Sequence, residues 1–558
     1  MVDRRFYVEI PPGAIVTSDR RVLWTTEKIY DPARQFNRDK RRLIGKTLEA
    51  SRTLMYPNDN YKELFPDDCQ ALLKNRTAPS SQSIGMYLVV KNIADTLPLY
   101  DTLYEVFGKE DTDLILDYAM YQIISESAVS QHYEATLRNH AIFSETIRSD
   151  SYLSVFFKEH LDEDKISLFL ELWAPKIIKH KKITSVYLNV DGSNIDCEAT
   201  GVILAELGYD KSGQGTTIVG IMYVVAPDGT LIYYIQYRGS VIDSVAVKAV
   251  YLFFQHLAVK IAGFCADRGF CSKAGTDLLR SMQVDFVLMV TSKPEGFTEA
   301  KNALRDTIRN NIEKWIRGSE LFGDTTRCRL FKTDAVDSYL HVFYDSAKAG
   351  NGIKAMLRKI NRAIDSAEKA LKKKKLPSIP DDVKPFVHLR EGRGPRTLVI
   401  EYDKIQEAIN DKGMHVIVTS KEMAPLDAYK IYHTRDSSEK QFMFMKSEIG
   451  EDKYYTGSDE SITGKQFVAF VAGIIRNEIN LSSARMMAEK DRGDWYSVPA
   501  IIKELENIKL KRLPGDEYAL VMNFSVRDEF MLKKLNITKE KINACVKTQN
   551  LRIKGRNR

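Results

Sequence analysis

Four polar side chains recur at helical spacing in the segment YHTRDSSEKQFMFMK, residues 432–446. They are Tyr432, Arg435, Glu439 and Lys446, and on an α-helix their offsets of 3, 7 and 14 residues return to nearly one face. The spacing predicts one helix of about four turns with a single polar stripe, which suits an anion and a metal ion. The simpler alternative is a solvated helix face, where Arg435 and Glu439 form an i,i+4 pair worth about 0.2–0.5 kcal/mol.

Two aspartates each follow a predicted strand in the middle of the chain. Asp191 ends the apolar run in ITSVYLNVDGSNID, and Asp267 ends the run in IAGFCAD. Between them lie a predicted hairpin with its turn at APDGT and the apolar helix DSVAVKAVYLFFQHLAVK. A further helix, SKAGTDLLRSMQ, leads into the strand VDFVLMVTS. Three antiparallel strands followed by βαβ connections predict a mixed α/β sheet.

These aspartates are predicted to lie in the crevice at the strand ends, where such sheets bind ligands. Two carboxylates repel each other there unless a cation neutralises them or one holds a proton. With Glu439 as a third carboxylate and little His or Cys nearby, the set suits Mg²⁺ or Mn²⁺. Two such ions bind the attacking and leaving oxygens of a phosphoryl transfer. An aspartate at a strand end is more often a turn former, so only the ordered set of three points to chemistry.

Composition and charge bound the class of protein. The chain has 558 residues, 44% hydrophobic and 28% charged, with a net charge of +7. Basic residues cluster in NRDKRRLIGK, LKKKKLP and LRIKGRNR, which suits a polyanion partner or a solvated surface. The six cysteines form no CxxC and the nine histidines no HExxH, so reduced thiols are expected and a zinc site is unsupported. Without a signal core or an apolar run long enough for a bilayer, a soluble intracellular protein with no membrane contact is expected.

The polar stripe also resembles a known signature. Tyr432, Arg435, Glu439 and Lys446 match Tyr-(2)-Arg-(3)-Glu-(6)-Lys, the YREK signature of a group of bacterial DDE transposases encoded by insertion sequences. The flanking stretches KGMHVIVTSKEM and SITGKQFVAFVAGIIR are similar to those of the family. The resemblance covers about residues 85–480 and extends more faintly to both ends.

The two aspartates match the same family. Asp191 in VYLNVDGS corresponds to its first catalytic aspartate, and Asp267 in FCADRGF to its second, with Arg268 directly after it. The resemblance implies that Asp191, Asp267 and Glu439 hold Mg²⁺ or Mn²⁺, two ions per site. It implies hydrolysis at the ends of a mobile element and attack of the released 3′-OH on target DNA. It assigns contacts with terminal nucleotides and phosphates to Tyr432, Arg435, Lys446 and Arg268.

The resemblance also implies a domain organisation and partners. The fold class is α/β, with an RNase H-like mixed-sheet catalytic core interrupted by an insertion. The partners are double-stranded DNA, at terminal repeats and target, and a second copy of the chain on paired ends; the location is the bacterial or archaeal cytoplasm, at the nucleoid. The predicted segments are 1–80 (basic strands and turns, DNA contact), 81–180 (helical, DNA binding or dimerisation), 181–300 (core, first part), 301–425 (insertion), 426–482 (core, Glu helix) and 483–558 (α+β end).

Some features depart from the family or leave alternatives open. The insertion of relatives is mostly β, whereas here a lysine-rich helix is predicted from about Lys354 to Lys375. Trp315 is the only tryptophan in this insertion, and the apolar spacing of IEKWIRGSELF predicts a core position more than a base-stacking one, which leaves a hairpin intermediate open. The functional alternatives are a nuclease without strand transfer and a domesticated DNA-binding derivative without chemistry. An actin-like ATPase is weakly indicated by a lone GxG in DKSGQGTT.

Overall fold

The computed structural model of the protein describes most of the chain. The described residues are 8–31, 36–48, 51–65, 81–183, 187–208, 215–259, 261–290, 294–373, 375–390, 396–444, 453–489, 493–513, 517–520 and 524–556. Lys446 of the predicted polar stripe lies outside them, as does most of the DKSGQGTT segment.

The N-terminal region forms a small antiparallel sheet, as the strand-and-turn pattern predicted. Its elements are β1 (Val8–Glu9), β2 (Ile15–Val16), β3 (Arg21–Asp31), β4 (Phe36–Leu48), β5 (Ser51–Pro57) and α1 (Asp59–Leu64). The strand order is β1-β5-β4-β3-β2, around a core of Val22, Ile44, Met55 and Tyr61. The basic cluster lies on β4, and three of its members have acidic partners: Lys40 with Glu27 at 3.7 Å, Arg41 with Asp39 at 2.9 Å and Arg42 with Glu63 at 3.0 Å.

Helices dominate residues 81–180, as their apolar spacing predicted. After β6 (Ser81–Ser83) come α2 (Gly85–Thr96), α3 (Leu99–Ser125), α4 (Tyr133–Leu137), α5 (Asp150–Val155) and α6 (Glu163–His180). Side-chain caps start α5 and α6, where Ser149 accepts from the Tyr152 amide and Asp162 from the Lys165 amide. The buried Trp173 of α6 donates its indole N–H to the Leu231 carbonyl at 3.1 Å. This helical region is therefore tied to the sheet that follows.

A mixed sheet lies at the centre of the molecule. Its first five strands are β7 (Tyr187–Asp196), β8 (Ile218–Val225), β9 (Leu231–Arg238), β10 (Gly263–Ala266) and β11 (Asp285–Met289), with α7 (Asp243–His256) and α8 (Lys273–Ser281) in the connections. They lie in the order β9-β8-β7-β10-β11. β7, β10 and β11 are parallel, whereas β8 pairs antiparallel with β7 and β9. The predicted mixed sheet, with three antiparallel strands followed by βαβ connections, is confirmed.

The segment predicted to be an insertion contributes three more strands to this sheet. In chain order the next elements are α9 (Glu295–Ile308), β12 (Leu321–Cys328), β13 (Ser338–Asp345), α10 (Ser346–Lys372), β14 (Val387–Leu389), β15 (Leu398–Ile400), α11 (Tyr402–Asp411) and β16 (Met414–Thr419). β16, β13 and β12 extend the sheet beyond β11, so that it has eight strands. β16 pairs antiparallel with β11 and with β13, and β13 pairs antiparallel with β12. The predicted basic helix is α10, and it shares a separate small core with β14 and α11: Ile360, Ala363, Val383, Val387 and Ile405.

The remaining helices cover the sheet and join the two ends of the chain. They include α12 (Pro425–His433), α13 (Asp436–Met443) and α14 (Asp459–Glu489), followed by α15 (Val498–Glu506), β17 (Lys509–Leu513), β18 (Glu517–Leu520), α16 (Val526–Lys534) and α17 (Lys539–Arg556). α14 is buried along most of its length and runs past residue 482, where a boundary is predicted. β17 pairs with β18 and with β6, so the C-terminal region packs on the helical one. Of the helices described, none combines the length and the apolar character needed to cross a bilayer.

Candidate active site

Asp191 and Asp267 lie side by side on the sheet. β7 and β10 run parallel with Val190 opposite Ala266, so the next residue on each strand is one of the two aspartates. The Asp267 carboxylate also accepts a hydrogen bond from the Arg268 amide at 2.7 Å, as the cap of a short 3₁₀ turn. The two aspartates are adjacent, as predicted, but the prediction that Asp191 ends its strand is wrong. β7 continues from Asp191 to Asp196, because these residues still pair antiparallel with β8.

The polar stripe does not lie on one continuous helix, and this prediction is wrong. α12 ends at His433 and α13 begins at Asp436, with Thr434 and Arg435 between them. The cause is a contact with β7: the Asn189 amide donates to the Thr434 carbonyl at 2.8 Å, and the Thr434 hydroxyl donates back to Asn189 at 2.9 Å. A carbonyl occupied in this way is drawn out of the regular helical ladder.

Asn189 is a functional residue that the sequence reasoning missed. It is fully buried and lies two residues before Asp191, on the same face of β7. The strand therefore fixes the aspartate and the helix junction together. The sequence did contain a signal for Asn189. It precedes Asp191 by two residues in an apolar strand, so its amide needs a hydrogen-bond partner on the face where Asp191 lies.

The Arg435 guanidinium contacts all three predicted catalytic carboxylates. Its Nη2 lies 3.3 Å from Asp191 Oδ2 and 3.2 Å from Glu439 Oε1, and its Nη1 lies 3.5 Å from Asp267 Oδ1. Nη1 also donates to the Tyr432 hydroxyl at 2.9 Å. The site consequently brings together four of the predicted residues around a fifth, the buried cation Arg435.

Burial and charge set the protonation states inside this cluster. Burial opposes the charge of Arg435, but Asp191, Tyr432 and Asp267 outweigh it and raise the guanidinium pKa. Burial raises the pKa of Tyr432 to about 12, although the neighbouring Arg435 acts in the opposite direction. The arginine is therefore charged and the tyrosine neutral at physiological pH. Arg435 donates and the Tyr432 oxygen accepts.

The α13 helix that carries Glu439 is held by the turn between β8 and β9. Gln441 of α13, which is buried, donates its side-chain amide to the Gly229 carbonyl at 3.0 Å. Gly229 has a φ of +88°, and a Cβ there would lie 2.5 Å from Asn477 Oδ1 of α14. The APDGT turn thus does more than reverse the chain, because it fixes one end of the Glu439 helix.

The donor atoms of the cluster suit a hard divalent ion, since they are carboxylate oxygens. Asp191, Asp267 and Glu439 are the residues that could hold it. In the part of the chain that is described, however, no three His, Cys, Asp or Glu side chains approach closely enough to share one metal ion. The three carboxylates instead converge on the guanidinium that lies among them. The chemistry of the set fits a cation, and the cation present is Arg435.

The residues predicted to contact DNA differ in accessibility. Tyr432 and Arg435 are buried, with the Tyr432 hydroxyl on the guanidinium and the guanidinium on the carboxylates, whereas Arg268 is exposed beside Asp267. Glu439 is the most open member of the cluster, with 61% of its side chain exposed. The site is therefore closed on the Tyr432 side and open on the side of Glu439 and Arg268.

Trp315 is not in the core, contrary to its predicted position. It is 44% exposed and donates its indole N–H to the Ser319 carbonyl at 2.9 Å. The apolar spacing misled because the segment is a short turn followed by an extended stretch, in which Ile316 faces inward and its neighbour outward. Trp315 lines a cavity of about 400 Å³ beside Pro425 and Leu426, at the start of α12.

Comparison with known proteins adds no family. No protein-family model matches the chain, and no curated protein matches it.

Proposed function

We propose that this protein is a DDE transposase of the YREK-signature insertion-sequence group. The observation that carries the proposal is the convergence on one site of Asp191 within β7, Asp267 directly after β10 and Glu439 on a packed helix. The family resemblance assigns its catalytic triad to the same three residues. Asp191 and Glu439 are 248 positions apart in sequence but contact the same guanidinium. Surface carboxylates distributed by chance would not be expected to do so.

The strand order supports an RNase H-like core for this enzyme. The order β9-β8-β7-β10-β11, with the first three strands antiparallel and the last two parallel to β7, is the arrangement expected of that fold. In such a core the first and fourth strands carry the two aspartates, as β7 and β10 do here. The remaining carboxylate is supplied by a later helix, α13.

In the proposed mechanism Asp191, Asp267 and Glu439 would hold two Mg²⁺ or Mn²⁺ ions. When bound, such ions activate the attacking water and neutralise charge on the attacking and leaving oxygens. Hydrolysis breaks a phosphodiester bond at the element end and leaves a 3′-OH. That hydroxyl then attacks a target phosphodiester, forms the new P–O bond and displaces the target's own 3′ oxygen. Asn189 and Gln441 keep the carboxylates in register during both steps.

The proposed partners are double-stranded DNA and a second copy of the chain. Arg268 at the rim and the basic side chains of β4 would contact phosphates, for which Lys40, Arg41 and Arg42 would exchange their acidic partners at the surface. The exposure of Trp315 beside α12 favours a base-stacking role over a core role, and with it a hairpin intermediate. The proposed setting is the bacterial or archaeal cytoplasm, where element ends and target DNA occur.

The decisive experiment is cleavage of labelled DNA that carries the element's own end, in Mg²⁺, with unlabelled target DNA present. Glu439→Gln should bind this DNA like the wild type but cut it at least about 100-fold more slowly. Glu422→Gln, which changes an exposed glutamate outside the cluster, is the matched control and should cut normally.

Other outcomes point to other functions. Cutting without joined product would favour a nuclease that lacks strand transfer. Binding without cutting by the wild type would favour a domesticated, non-catalytic derivative. Equal cutting by the wild type and Glu439→Gln would remove Glu439 from the site and overturn the assignment.

A further inference from the structure

Arg435 lies among the three carboxylates to which the proposed function assigns the metal ions. Its family-based assignment is a contact with DNA, yet only 8% of its side chain is exposed and both terminal nitrogens are directed at Asp191, Asp267 and Glu439. The guanidinium therefore makes its polar contacts within the protein. An arginine that binds phosphate from solution would instead be expected to expose its guanidinium at the surface.

Charge balance explains why a cation is needed there. Three carboxylates in a partly buried site repel one another strongly without one. One guanidinium neutralises a single charge and leaves two, so the cluster retains the charge that one divalent ion would neutralise. Arg435 consequently stabilises the cluster but does not saturate it.

The hydrogen bonding of Arg435 is also incomplete. Its Nε atom is buried and has no acceptor among the described residues. An unpaired buried donor is costly, especially on a charged group. Asp267 and Glu439, on the open side, are 44% and 61% exposed, which leaves the guanidinium an outward path. Arg435 is thus held in the cluster while its Nε–H donor has no acceptor among the described residues.

We infer that Arg435 is a resident counter-cation, which holds the three carboxylates in the metal-free protein and competes with divalent ions for them. Metal binding displaces the guanidinium outward, where it becomes available to a DNA phosphate. Tyr432 is the positioning residue for the inward state, because its hydroxyl accepts from Nη1 at 2.9 Å. This inference rests on the proposed function, since it takes the metal site of that proposal as given.

The test is Mn²⁺ binding by the full-length protein without DNA, measured by the electron paramagnetic resonance of free Mn²⁺. Arg435→Gln should bind Mn²⁺ at least about tenfold more tightly than the wild type, because the competing charge is gone. Its thermal unfolding temperature should be lower than that of the wild type without metal and should rise more steeply with Mn²⁺. Equal or weaker Mn²⁺ binding by folded Arg435→Gln would overturn the inference.

Arg280→Gln is the matched control. Arg280 is another largely buried arginine, paired with the fully buried Asp334 at 3.3 Å and hydrogen-bonded to Ser338 at 2.7 Å, neither of which belongs to this cluster. Its loss should destabilise the protein equally with and without Mn²⁺, and leave Mn²⁺ affinity unchanged. If Arg280→Gln tightened Mn²⁺ binding as Arg435→Gln does, the effect would be non-specific and the inference would be lost.

A milder variant keeps the inference testable if Arg435→Gln does not fold. Tyr432→Phe removes only the hydroxyl that accepts from Arg435, so it should tighten Mn²⁺ binding about threefold. No change with folded Tyr432→Phe would count against the inference.

Asp191→Asn separates this inference from the proposed function. If the wild type binds Mn²⁺ and Asp191→Asn does not, the metal site stands whatever Arg435 does. If neither protein binds Mn²⁺, the metal site of the proposed function fails, and the inference fails with it.

Discussion

Asn189 connects the strand of the first aspartate to the helix junction that carries the arginine. Its side-chain amide and the Thr434 hydroxyl form a reciprocal pair in a buried position. Asp191 and Arg435 each follow one member of this pair within two residues. The geometry of the charged cluster is therefore set by an uncharged contact.

This contact predicts strong coupling between the two residues. Asn189→Leu should lower the free energy of unfolding by about 1–3 kcal/mol, because it removes both hydrogen bonds between β7 and the helix junction. It should also slow the proposed DNA cleavage by shifting Arg435 and Glu439. Thr434→Val should have a similar effect, and the double variant should cost about 1 kcal/mol less than the two single effects added. Urea denaturation of the four proteins measures this, and strict additivity would show that the pair is not coupled.

Contacts between residues that are distant in sequence are the ones that the sequence did not predict. The adjacency of Asp191 and Asp267 was predictable because each follows an apolar run on one of two neighbouring parallel strands, although β7 continues past Asp191 to Asp196. The break between α12 and α13 was not, since Asn189 and Thr434 are 245 residues apart and neither has a local signal for the other. Trp315 was misplaced because one apolar spacing fits both a helix and a turn followed by an extended stretch.

Among the secondary-structure elements, the β8–β9 hairpin has two roles. Its strands are largely buried, and its turn accepts the Gln441 side chain of α13 at Gly229. The same glycine leaves no room for a Cβ, because Asn477 of α14 lies against it. Two helices are thus positioned by a turn whose local sequence predicted only a chain reversal.

The turn predicts a specific glycine requirement. Gly229→Ala should destabilise the protein by about 1–3 kcal/mol through positive φ and the close Asn477 contact, and should slow cleavage by moving α13. Gly201→Ala is the matched control, because Gly201 has a φ of +92° and nothing within 4 Å of its added Cβ. Thermal unfolding of both variants separates the two causes. Equal losses would mean that the Asn477 contact contributes nothing.

Across the whole molecule, one sheet joins the first five strands, β7 to β11, to strands from the predicted insertion. β16 pairs with β11 on one side and β13 on the other. His341 of β13 is fully buried at this seam and bonds to Thr325 of β12 at 2.8 Å and Thr419 of β16 at 3.0 Å. Burial lowers the pKa of His341 to about 4. The imidazole therefore stays neutral in the folded protein.

This histidine predicts a loss of stability in mild acid. Between pH 6.5 and about 4 the unfolded chain binds a proton at His341 that the folded protein does not, so stability falls as the pH falls through that window. At pH 5 the expected loss is about 1–2 kcal/mol relative to pH 7. His341→Asn should flatten this part of the profile, measured by urea denaturation at each pH. An unchanged slope would assign the acid sensitivity to other groups, such as the neighbouring His415, whose pKa burial also lowers to about 4.

The chain leaves the sheet at the end of β13 and returns at the start of β16, and these two points are neighbours. Tyr344 lies opposite Met414, and the Asp345 amide donates to the Gly413 carbonyl at 3.0 Å. Everything between them, α10, β14, β15 and α11, has a small core of its own. Such a module can be lengthened, exchanged or lost during evolution without moving either strand, because closing the gap needs only a tight turn. We therefore expect relatives with the same site to differ most between Asp345 and Gly413, two residues that are hydrogen-bonded to each other.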